Sequence, residues 1–108
     1  MLEFTFDGEV LKGQGDGAWH FIQLPLDLGE QLGRIATGMR GRWGSIKVEA
    51  TVGHTTWHTS IFPDEDGSFL LPVKAQVRSA EDVGEGDLVE VIMELLERRP
   101  RTGRAGAP

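Results

Sequence analysis

The chain has 108 residues, 39% of them hydrophobic and 26% charged, a size suited to one core and a balance too apolar for a disordered polymer. It has no cysteine, which excludes disulfides, thiolate catalysis and cysteine-based zinc sites. The formal net charge is −6, but Arg98, Arg99, Arg101 and Arg104 cluster at the end, leaving residues 1–97 with seven Lys and Arg against all 17 acids, a net of −10; such a body repels phosphate backbones at long range.

Leu2, Phe4 and Phe6 alternate with Glu3, Thr5 and Asp7, the two-residue period of a strand with one buried face. This opening lacks the basic flank and continuous apolar stretch of a signal peptide, and no apolar run reaches the roughly 20 residues of a membrane span. A cytoplasmic location and no membrane partner are expected. Gly13-Gln14-Gly15-Asp16-Gly17 breaks the alternation and Trp19 to Leu24 resumes it, so these two segments are expected to pair antiparallel.

From Pro25 the period lengthens. Leu28, Leu32, Ile35 and Met39 recur at spacings of four, three and four, one face of a short α-helix over about 27–39. Asp27 as N-cap with Glu30 three places on gives a capping-box start, and Gly38 or Gly41 a stop. Its internal glycines cost up to about 1 kcal/mol each relative to Ala, so the helix needs docking against a sheet.

Ile46, Val48, Ala50 and Val52 alternate with Lys47, Glu49 and Thr51, and Thr55 to Phe62 is again strand-like beyond Gly53-His54. Gly at the first central position of a two-residue loop predicts a type II′ hairpin. Trp57 and Ile61 then face inward with Val48 and Val52, and His58, Ser60 and Phe62 face outward. Pro63 to Ser68 is a turn, Phe69-Leu70-Leu71 a short strand, and Val73 to Ala80 a helical turn with Val73, Val77 and Ala80 on one side. After Gly84-Glu85-Gly86-Asp87, Leu88 to Leu96 alternates as the closing strand. Residues 98–108, rich in Arg, Gly and Pro, read as a flexible tail behind a single domain over 1–97.

The segment Phe69-Leu70-Leu71-Pro72-Val73-Lys74-Ala75-Gln76-Val77-Arg78, followed by Val83-Gly84-Glu85-Gly86-Asp87-Leu88-Val89-Glu90-Val91, resembles the bacterial family of unknown function DUF1905. Trp19 to Pro25, Gly44 to Val52 and Thr59 to Pro63 fit it in the same order. The resemblance implies a small β-barrel with one helix and supplies no catalytic or binding residue. The Leu71-Pro72 segment with Arg78 and Gly86-Asp87 is also similar to the loop–helix–strand unit of swapped-hairpin, AbrB-type barrels, which dimerise and bind DNA. Here Glu81, Asp82, Glu85 and Asp87 flank that unit and oppose DNA binding by it. Independently of either resemblance, Gly86 permits a positive φ and Asp87 can accept backbone hydrogen bonds at the strand entrance.

Several motifs reduce to local structure. The glycine-rich 13–17 segment is followed by a strand, whereas a phosphate-binding loop needs a helix there. Asp64, Asp66 and Ser68 have the first three spacings of an EF-hand, but its twelfth position is Ala75. His20, His54 and His58 show no metal-ligand spacing, His54 falling in a turn and His58 on a strand. No serine lies in a nucleophile-elbow context. What remains is Trp19, Trp43 and Trp57 around a pocket or barrel end, with Arg40, Arg42 and Arg78 as a basic patch.

The expectation is therefore a mostly β protein, a barrel of about six to seven strands with a helix near 27–39 and a helical turn near 73–80. With no assembled catalytic motif, cofactor site or metal site, a non-enzymatic module binding a small ligand or a protein leads. The alternatives are a nucleic-acid-associated protein using the tail with Arg40 and Arg42, and a small-molecule enzyme without a recognisable motif. A homodimer paired through an exposed strand edge is a further possibility.

Overall fold

The computed structural model describes residues 2–14, 19–35 and 44–96. Six strands and two helices run in the order β1 (Glu3–Lys12), β2 (His20–Gln23), α1 (Leu26–Ile35), β3 (Ile46–Val52), β4 (Thr55–Pro63), β5 (Phe69–Pro72), α2 (Ala75–Glu81) and β6 (Leu88–Leu95). The strands close into a barrel in the order β1-β2-β5-β4-β3-β6, each adjacent pair antiparallel. Among the described residues no helix is long and apolar enough to cross a membrane.

Two long strands stitch the barrel together. β1 pairs with β6 through residues 3–9 and with β2 through 10–12; β4 pairs with β3 through 55–61 and with β5 through 62–63. Gly8 lies near the changeover in β1, on the same inward face as Phe6 and Val10. A Cβ there would run into Cγ2 of Ile22, so the missing side chain lets β2 close over the core.

The alternation read from the sequence holds strand by strand. Phe6, Val10, Ile22, Val48, Ile61, Leu71, Val91 and Met93 are buried, while Glu3, Asp7, Lys47, His58 and Glu90 point outward. Trp57 lies in the inner wall at 5% exposure, and Phe62 is exposed. In the β3–β4 hairpin Val52 pairs with Thr55, leaving a two-residue loop. Gly53 has φ +60° and His54 is not among the positive-φ residues, as a type II′ turn requires. At the entrance to β6, Gly86 has φ +93° and the Asp87 carboxylate accepts the Gly84 N–H at 2.8 Å, both as expected.

The helices differ from expectation in their bounds. α1 begins at Leu26: the Pro25 carbonyl takes the Gly29 N–H at 2.9 Å, and Asp27 lies inside the first turn, its Oδ1 accepting from the Leu28 N–H. Pro25 is therefore the residue that starts the helix, its ring having already set φ, and Asp27 serves the helix dipole rather than capping. Leu28 and Leu32 are buried but Ile35 is exposed; Met39 and the remainder of the 27–39 span lie outside the described residues. α2 starts at Ala75, so Val73 is buried just ahead of it while Ala80, expected on the same side, is exposed. Its last carbonyls are taken by the N–H groups of Asp82 and Val83, with Asp82 left-handed at φ 54°.

Candidate ligand-binding cleft

An open cleft of about 360 Å³ lies where β2, β4 and the β5–α2 connection meet, lined by Trp19, His20, Trp57, His58, Thr59, Pro72, Val73, Lys74, Ala75 and Arg78. The register makes it. Phe21 of β2 pairs with Pro72 of β5, and the Val73 N–H reaches past the strand end to the His20 carbonyl at 2.9 Å. The chain then turns into α2 within two residues, over β4. Glu81 at the far end of α2 holds that helix in place, its carboxylate accepting from Thr55 Oγ1 and the His54 N–H.

Trp19 is 47% exposed, with its ring 4.9 Å from that of Phe21 and tilted 41° to it, a favourable aromatic arrangement that fixes the indole as a platform. Trp57 forms the opposite, buried wall. Its indole Nε1 and the His20 Nδ1 are buried polar atoms without a hydrogen-bond partner among the described residues, in a protein interior where such groups are nearly always satisfied.

The charge of the cleft runs against that of the molecule. Among the described residues no carboxylate lines it. Of the five cationic residues described, Lys74 and Arg78 are in the lining and Lys12 is cross-strand to His20. Arg78 donates from Nε to the Val73 carbonyl at 3.2 Å, which orients its guanidinium, and His58 pairs with Glu49 at 2.9 Å. His20 has its pKa held below the ordinary imidazole range, first by burial, then by the Arg78 and Lys12 charges, with Glu85 opposing.

Trp19, Trp57 and Arg78 of the expected site are thus brought together, and Trp43, Arg40 and Arg42 lie outside the described residues. Sequence reasoning passed over His20, His58, Thr59 and Lys74. The overlooked signal is a repeated dipeptide, Trp19-His20 and Trp57-His58, each of which places both of its residues in the lining.

Other motifs have local uses. The Asp64 carboxylate accepts the Glu65 N–H, and Asp64 and Asp66 both accept from the Gln23 amide. Ser68 is buried and its hydroxyl donates to the Leu24 carbonyl at 2.7 Å. Among the described residues no group of three His, Asp or Glu is placed to hold a metal. Thr59 carries the one hydroxyl in the lining, and it makes no hydrogen bond to either histidine among the described residues.

The family model of the domain of unknown function DUF1905 matches residues 6–93, from within β1 to within β6. The chain belongs to the DUF1905 family. That match contains every residue of the cleft, so in this DUF1905 chain the candidate site is part of the family's fold and not an appendage. A search of the curated proteins gives no match.

Proposed function

We propose that this DUF1905 protein is a non-enzymatic binding module that takes a small organic molecule into the cleft between Trp19 and Trp57. The observation that carries the reading is a concave site of about 360 Å³ that combines aromatic walls with a few polar groups lacking partners. That volume is within the roughly 300–1,000 Å³ of small-molecule sites, and apolar walls with sparse convergent polar groups are their usual make-up.

A screen of small metabolites by intrinsic tryptophan fluorescence tests the proposal. Trp19 and Trp57 both border the site, so an occupant changes their emission, and Trp19→Phe removes the exposed reporter. A chemically broad library that moves neither the emission nor the melting temperature would overturn the reading.

A further inference from the structure

Two buried nitrogens of residues that line the cleft narrow what it holds. Trp57 is 95% buried by its 5% exposure, and an indole N–H is a donor only, so an occupant that satisfies Nε1 must present an acceptor. The same lining holds His20, whose Nδ1 also lacks a partner among the described residues, and Arg78, whose fork of donors has only Nε engaged among them. Among the described residues no carboxylate in the lining competes for these donors.

Resting on the small-molecule reading above, we propose that the ligand is an organic oxyanion with a planar apolar body. The oxyanion accepts from the Arg78 guanidinium, Trp57 Nε1 and His20, and the body lies on the exposed face of Trp19. A planar guanidinium matches the two oxygens of a carboxylate or phosphate, and Lys74 and Lys12 add attraction at longer range. Trp19, already fixed against Phe21, offers a flat surface at little cost in ordering.

Binding is also linked to protons. The groups that face His20 are Arg78 from α2, Lys12 from β1 and Glu85 from the α2–β6 loop, and with burial they keep its pKa low. A bound oxyanion offsets the two cations and raises that pKa, so the complex takes up protons and affinity increases as the pH falls through the interval.

The test is calorimetry on the full chain with 2-naphthoate, 2-naphthyl phosphate, the neutral 2-naphthamide and inorganic phosphate. Expected is binding of at least one naphthyl anion about tenfold or more tighter than the amide, as for a hydrogen-bonded charged head group. Trp57→Phe, which keeps an aromatic ring and drops the N–H, should weaken the anion more than the amide, whose carbonyl is the weaker acceptor. His20→Gln should flatten the pH dependence of 2-naphthoate, which stays ionised above pH 5.5. Whichever anion is tighter names the head group. Amide binding equal to the anions would overturn the oxyanion while leaving the cleft as a ligand site, inorganic phosphate equal to naphthyl phosphate would overturn the planar body, and silence from all four probes together with a silent fluorescence screen would overturn both readings.

Discussion

His20 is the residue at which fold and electrostatics meet. Its carbonyl anchors the β5–α2 connection while its ring sits among Arg78, Lys12 and Glu85 with a depressed pKa. A base whose folded-state pKa lies below its unfolded value stabilises the fold fully above the unfolded pKa, and that stability is lost as the pH drops below about 6.5. We expect the His20 ring signals to titrate below the ordinary imidazole range in an NMR series. The fall in melting temperature between pH 7.5 and 5.5 should also be smaller in His20→Gln. Gly29 makes a second prediction at this scale, because a Cβ there would lie 2.6 Å from Ser68 Oγ and 2.7 Å from its Cα. The helix propensity of Ala would favour Gly29→Ala by about 1 kcal/mol. Pushing a buried backbone costs about 1–3 kcal/mol, so the variant should have a lower midpoint in urea.

At the scale of elements, α2 is seven residues long, too short to be stable alone. Val77 buries one side of it, and Glu81 ties its end to the β3–β4 turn. Glu81→Ala removes two hydrogen bonds at a partly exposed site and should cost about 1 kcal/mol. The same change should weaken any ligand that depends on Arg78 more than it weakens stacking on Trp19, which calorimetry with the anion and amide probes separates. Strands were the legible elements, since each carries a two-residue period against one core. Helix bounds were less so. Pro25 acts as a helix start that Asp27, a better capping residue by type, seemed to claim, and Val73 shares the buried side of α2 without belonging to it. The cleft was half legible for the same reason: Trp19, Trp57 and Arg78 stand out by type, but Lys74 and the two histidines join them only through the β2-β5-β4 register, and pairing between distant strands leaves no mark in local spacing.

For the whole molecule, closure matters more than any one strand. The six strands close into one ring, but residues 3–9 of β1 pair with β6 alone and residues 55–61 of β4 with β3 alone; a homodimer would use one of those edges, and light scattering tests it. β6 ends at Leu95, the Leu95 N–H bonding to the Leu2 carbonyl and the Leu96 N–H to that of Lys47. The last ladder is therefore complete before residue 98. We expect a chain cut after residue 97 to melt within a few degrees of the full one, with an unchanged affinity for the naphthyl anions; a large loss of stability would place part of the tail in the fold.

The pairing of β1 with β6 has a consequence for how the protein comes into being. Glu3 pairs with Glu94 and Glu9 with Leu88, so β1, made before the other five strands of the barrel, waits for β6. Loop closure over such a separation precedes any return in contact energy, which puts topologies of this kind among the slow folders, in milliseconds to seconds. The barrel cannot close during translation until β6 has been made; before then the apolar face of β1 is without that partner and in need of protection.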